Sequence, residues 1–151
     1  MDDKILHKEL SYKIVGCFYE IRNEYGPGHK EKVYGNLLAE CFDEMKIPYE
    51  REKPIKIYSK RTGNVVGLYK PDFLVDDKII IEMKSSIFTT RTDERQFYHY
   101  LRNSKYELAY LVNFSTPRLY INRIVYSNYR KPFLNKSQIR VDSFSDSRLS
   151  A

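Results

Sequence analysis

In KPDFLVDDKIIIEMK, residues 70–84, three charges interrupt an otherwise apolar run: Asp72, Glu82 and Lys84. Strand alternation along KIIIEMK puts Ile80, Glu82 and Lys84 on one face and Ile79, Ile81 and Met83 on the other. Glu82 and Lys84 then point the same way, roughly 6.6 Å apart along the strand. PDFLV is expected to fold back on this strand through Asp76–Lys78. A three-residue loop sets Val75 opposite Ile79, Leu74 opposite Ile80 and Asp72 opposite Glu82, whereas a two-residue loop would send Asp72 to the wrong face. Two carboxylates would thus stand with Cβ atoms about 4.5–5.5 Å apart, a repulsive pair unless a positive charge lies between them. A divalent metal is the natural candidate. Mg²⁺ takes oxygen ligands and keeps several waters, so two carboxylates plus a substrate phosphate suit it. Lys84 could then ease the deprotonation of an attacking water or steady the charge building on phosphorus. The plainer alternative is a solvated strand face, with Asp72 a turn residue after Pro71.

The elements that would position this triplet follow from periodicity. Leu6, Leu10, Ile14, Phe18, Ile21 and Tyr25 recur at helical spacing over about 4–25 and stop at Gly26-Pro27-Gly28. A second helix is expected over about 29–46, its core face Val33, Leu37, Cys41 and Met45 beside Tyr34, Leu38 and Phe42. From 50 to 84 the period is two, which predicts a three-stranded meander turning at RTGN. TTRTDERQFYHYLRN returns to helical spacing, and ELAYLVNF and RLYINRIVY read as a final strand pair. The expected order is ααβββαββ, an α/β (α+β) unit with a central sheet flanked by helices, over 1–126. Residues 127–151 lose periodicity and read as a polar, flexible tail.

The whole chain sets the context. At 151 residues one domain with a real core is the default. A net charge of +6 and a pI near 9.2 favour a polyanionic partner. Cys17 and Cys41, distant in sequence and each inside a helical pattern, give no reason to expect a disulfide or a metal cluster, which suits a reducing cytoplasm. The charged N-terminus lacks a signal peptide's apolar stretch, and no run is long enough to span a membrane. There is no phosphate-binding G-x-x-x-x-G-K run and no Ser-His-Asp or Cys-His arrangement, so an NTPase or a covalent hydrolase is not expected.

Pro71-Asp72 followed by Glu82-Met83-Lys84 resembles the Pro-Asp, Asp/Glu-X-Lys nuclease superfamily, whose site stands on such a hairpin next to a helix. Upstream, GHKEKVY from Gly28 to Tyr34 is similar to the G-x-x-E-x-x-Y signature of a family of small proteins within that superfamily. The likeness spans about 10–126, taking in GPG, QFYHYL and LVNFSTPRL. It implies a restriction-endonuclease-like core with a mixed sheet and a Mg²⁺- or Mn²⁺-dependent nuclease, acting on DNA rather than RNA. Asp72 and Glu82 would hold metal and Lys84 would assist the water.

Glu31 lies in the first turn of the second helix, where the backbone dipole favours an acid with no site at all. The resemblance implies that it adds a metal ligand, directly or through water. Gln96 and Tyr100 share one face of the third helix and resemble the Q-x-x-x-Y element of recombination nucleases. Gln96 would orient Lys84 or a water. Tyr100 would contact nucleic acid, as would Tyr34, which closes the signature. Arg91 and Arg95, beside the Gln96 face, and Lys30 would hold phosphates, although a solvated basic flank explains them as well. His29 stands where the family usually has an apolar residue. Two rivals remain: a nucleic-acid-binding module without useful hydrolysis, and a subunit docked through its aromatic surface or tail. A homodimer or partner protein would supply specificity to so small a chain.

Overall fold

The structure, a computed structural model, describes residues 6–134. Helix α1 (Lys8–Tyr25) buries Ile14, Cys17, Phe18 and Ile21, and α2 (Glu31–Glu44) buries Tyr34, Leu38, Cys41 and Phe42. Of the two stripes expected on α2, the one through Tyr34, Leu38 and Phe42 wins, widened by Gly35 and Ala39, while Val33 and Met45 are 40% and 41% exposed. Cys17 and Cys41 are joined as a disulfide, with Cα atoms 6.1 Å apart. The expectation of no disulfide is therefore corrected: separation along the chain says little once both cysteines lie on the faces that two packed helices turn toward each other.

Strands β1 (Tyr49–Arg51), β4 (Phe73–Val75), β5 (Ile79–Lys84), β6 (Leu108–Asn113) and β7 (Tyr120–Val125) form a mixed sheet in the order β1-β4-β5-β6-β7. Helix α3 (Arg91–Arg102) carries the chain between the parallel neighbours β5 and β6. The fold class is the expected one, but the order is ααβββββαββ. In place of one meander, β2 (Ile55–Tyr58) and β3 (Val65–Tyr69) pair off as a separate two-stranded sheet. The stretch expected as one strand over 64–75 breaks at Lys70-Pro71-Asp72, where proline has no N–H for a ladder.

The sheet divides the core. On one face Ile79, Ile81 and Met83 pack with α1 and α2; on the other Leu74, Ile80, Ala109 and Leu111 pack with Phe97 and Leu101 of α3 and with Ile55 of β2. Ile79, Ile80 and Ile81 are wholly buried, each contributing about 1.5–3 kcal/mol, so both faces of β5 fix its register.

The first part of the stretch expected as a polar tail, 127–134, is among the described residues. Asn128–Arg130 forms a 3₁₀ turn, after which Lys131 and Phe133 are 1% exposed. The Lys131 ammonium donates to the carbonyls of Leu101, Ser104 and Tyr106 at 3.1, 2.8 and 2.5 Å, and Phe133 stacks on Tyr58 with centroids 5.2 Å apart. A lysine in a polar run gives no sign of the three carbonyls it meets at the end of α3 and just after it. The remainder of that predicted tail, 135–151, lies outside the described residues.

Candidate active site

The hairpin adopts the three-residue-loop register: Val75 pairs with Ile79, Leu74 with Ile80 and Phe73 with Ile81. Asp72 stands one residue before β4, and its Oδ2 accepts the Met83 N–H at 2.7 Å. That donor lies past the last β4–β5 pair, so the carboxylate continues the hydrogen bonding where the strand has ended. Glu82 lies on the α3 face of β5, and its Oε1 accepts the Tyr69 hydroxyl at 2.5 Å. Tyr69, from β3, stacks on Tyr100 of α3 with centroids 3.9 Å apart and planes 13° from parallel. Lys84 Nζ is 3.8 Å from Asp93 Oδ1 in the first turn of α3. Thr90 caps that helix by accepting the Asp93 N–H at 3.0 Å, which fixes where the acid stands.

Burial and the charge of Asp72 push the Glu82 carboxyl up to about 7, against the opposing pull of the Tyr69 hydrogen bond and Lys84. Burial also raises Asp72, opposed by the Met83 N–H and Lys84. Glu31 is raised by burial and then by Asp72, while Lys84 pulls it down and Asp93 adds to the rise. The Tyr69 hydroxyl is held firmly protonated by burial and the facing Glu82 charge, so it remains a donor. Four acids and one lysine thus share one electrostatic neighbourhood.

Glu31 reaches that neighbourhood from the other side of the sheet. Its helix passes the sheet at Gly35, where a Cβ would lie 2.7 Å from Arg51 Nη2 and 3.0 Å from Met83 Cε, the movable ends of two long side chains. At the head of α2, the Tyr34 hydroxyl donates to Gly26 O at 2.6 Å and accepts the His29 N–H at 3.2 Å. Gly28 takes φ +97°, a backbone that favours glycine, and donates its N–H to Ser115 Oγ at 2.9 Å. Gly28 and Tyr34 therefore work as one clamp on the turn that delivers Glu31. Tyr34 is wholly buried and stacked on Phe114, so its expected contact with nucleic acid is corrected to this structural role. His29, without an explanation in the sequence, hydrogen-bonds Tyr25 O through Nε2 at 2.9 Å and closes the same turn.

A cleft of about 130 Å³ opens between Tyr69, Glu82 and Lys84 on one side and Asp93, Gln96 and Tyr100 on the other. Gln96 Nε2 donates to the Tyr100 hydroxyl at 3.2 Å; it is Asp93, not Gln96, that reaches Lys84. Arg91 and Arg95 line a different groove, of about 360 Å³, between α3 and β7 with Asn122 and Ile124. Lys30 is exposed at the N-cap of α2. Sequence reasoning missed Tyr69 and Asp93. Tyr69 is the last residue of an alternating strand just ahead of Pro-Asp, and Asp93 sits three residues after a capping threonine. Those signals announce a strand end and a helix start, not partners for Glu82 and Lys84.

Among the described residues, no three of His, Cys, Asp and Glu form a ready-made metal cage. The donor set nevertheless fits a hard cation. The charge of Asp72 raises the proton affinity of Glu82, a repulsion that a cation between them would relieve, and Mg²⁺ commonly takes one or two carboxylates with waters and phosphate oxygens rather than a full protein cage. Among the described residues no helix is long and apolar enough to cross a membrane. A family model for the PD-(D/E)XK nuclease superfamily matches residues 8–124. The comparison with curated proteins finds no match.

Proposed function

The chain belongs to the PD-(D/E)XK nuclease superfamily, and from that premise we propose that it hydrolyses phosphodiester bonds in DNA, in preference to RNA, with Mg²⁺ or Mn²⁺. The observation that carries this reading is the Asp72–Glu82 pair, buried enough to raise both carboxyls, beside Lys84 at the mouth of the cleft. Asp72 and Glu82 would hold the cation, with Glu31 completing its shell directly or through water. The bound ion would supply a Lewis acid for the phosphate and a more acidic water. Lys84, held by Asp93, stabilises the charge growing on the phosphate oxygens. Gln96 positions the attacking water from the α3 wall, and Tyr69 holds Glu82 by one oxygen. Arg91, Arg95 and Lys30 take flanking phosphates, and Tyr100 supports Tyr69 from behind.

We assign the chain to the GxxExxY branch, supported by the clamp that Gly28 and Tyr34 make around Glu31. A homodimer or a partner protein supplies specificity. A cytoplasmic setting rests on the nucleic-acid substrate, since the disulfide removes the cysteines as grounds for it.

A second reading has one observation in its favour: Lys84 already pairs with Asp93, as in a binding platform without hydrolysis. Wild-type protein and Lys84→Ala, incubated with labelled single- and double-stranded DNA and RNA in Mn²⁺, Mg²⁺ or EDTA, separate the two. Metal-dependent cleavage lost in the variant supports the nuclease. Equal binding without cleavage by either protein supports the platform.

A further inference from the structure

Between Lys84 and the start of α3 the chain makes a short loop, Ser85–Thr90, in which the two central side chains are apolar and exposed: Ile87 at 77% and Phe88 at 68%. Exposed pairs of this kind usually sit on loose loops. This one is braced on both sides. Asn113, wholly buried at the end of β6, donates from Nδ2 to Ser86 Oγ at 3.2 Å and to Thr89 Oγ1 at 3.1 Å, and its Oδ1 accepts the Ser86 N–H at 3.3 Å. Ser86 Oγ also donates to Phe88 O at 2.9 Å. Ser85 Oγ donates to His29 O and shares a hydrogen bond with Ser115, which ties the loop to the turn that carries Glu31. A buried amide thus grips the residues before and after Ile87-Phe88 and leaves those two pointing into solvent.

Position decides what they meet. Ile87 and Phe88 follow Lys84 by three and four residues, so the chain keeps them within about 13 Å of it. Arg91 and Arg95 follow on the next turns of α3. A rigid apolar tip between a proposed phosphate-cleaving cleft and two exposed arginines suits a base with a free π-face. Bases in a paired duplex are already stacked on both faces, whereas an unpaired strand offers such a face to every aromatic it passes.

Resting on the nuclease reading above, we propose that Ile87 and Phe88 form a stacking platform that receives an unpaired base next to the scissile phosphate, which makes single-stranded or frayed nucleic acid the substrate class. Phe88 stacks on the base, and Ile87 packs against its edge. Both side chains are exposed and belong to neither core cluster, so substitutions leave folding unaffected.

The chain has no tryptophan, so Phe88→Trp provides a single reporter at the tip. Its emission is titrated, in EDTA, with an unpaired oligonucleotide and with a blunt duplex of the same sequence, alongside anisotropy measurements on wild type and on Ile87→Ala/Phe88→Ala. The proposal expects quenching by the unpaired strand and not by the duplex, with roughly tenfold or greater loss of single-strand affinity in the double variant. Wild-type protein that binds the unpaired strand in EDTA and cleaves it in a parallel reaction with Mn²⁺, while the indole emission of Phe88→Trp stays constant and the double variant keeps its affinity, overturns the platform alone. Equal quenching by the duplex overturns the preference for unpaired bases. Wild-type protein that binds neither form in EDTA and cleaves neither in Mn²⁺ overturns both the platform and the nuclease reading beneath it.

Discussion

At Glu82, burial and the charge of Asp72 act against the Tyr69 hydrogen bond and Lys84. Its carboxyl titrates near 7 in the folded chain and near 4.5 as an unperturbed glutamate, so between those values the folded state holds a proton that the unfolded state has lost. Stability in metal-free buffer therefore falls as pH rises from about 4.5 through about 7. Thermal melts in EDTA should show a lower midpoint at pH 8 than at pH 5.5, and Glu82→Gln should flatten that difference. An unchanged slope in the variant would place the titration elsewhere. Millimolar Mn²⁺ should raise the wild-type midpoint at pH 8 more than at pH 5.5, because protons and cation compete for one pair of carboxylates. At the same scale, Asp72→Asn should lower cleavage by about a hundredfold or more while DNA affinity stays within about threefold. Matched losses of binding and cleavage would mean that Asp72 shapes the surface instead of holding the metal.

Among the elements, the α1–α2 pair depends on fastenings at both ends. At the turn, Tyr34→Phe removes the hydroxyl shared by Gly26 O and the His29 N–H, leaving both polar groups without that partner. Urea unfolding should report a loss of about 1–2 kcal/mol. Along the helices, the Cys17–Cys41 bridge should be visible as two thiols titratable in denaturant only after reduction. Reduction should then lower stability by about 3 kcal/mol through the loop it opens in the unfolded chain. Two free thiols before reduction would show the cysteines to be merely neighbours. After α3, Lys131 carries the corresponding duty, because burial depresses its pKa to about 7 while three carbonyls receive its protons. A methionine there would keep the volume and take the donor away from Ser104 O and Tyr106 O, while Leu101 O keeps the Ser104 hydroxyl.

For the whole molecule, the contacts of that lysine carry the packing past residue 126. A chain ending at residue 126 forfeits the Lys131 contacts and the Phe133–Tyr58 stack, and should melt several degrees below a chain ending at 134. Coincident melts would put the boundary back at 126. The same scale shows why some of the fold could be read from the sequence. The register of the hairpin follows from alternation in KIIIEMK and the loop length, because a one-residue slip would turn Glu82 and Lys84 into the apolar face that packs on α1 and α2. The helical periods of α1 and α3 persist because each has a face that packs on the sheet. The split of 50–84 into two sheets was hidden, since β2 and β3 alternate like any hairpin and only the partners of Ile55 and Tyr69 decide where they dock. Local pattern therefore put Glu82 and Lys84 on one face of β5, Asp72 at the start of its hairpin partner and Glu31 at the head of a helix. Tertiary structure alone decided that Tyr69 holds Glu82, that Asp93 holds Lys84, that Tyr34 is a buried clamp and that the two cysteines meet. Each of those contacts joins residues from separate elements, and periodicity reports which way a side chain points from its own strand or helix but not what waits there.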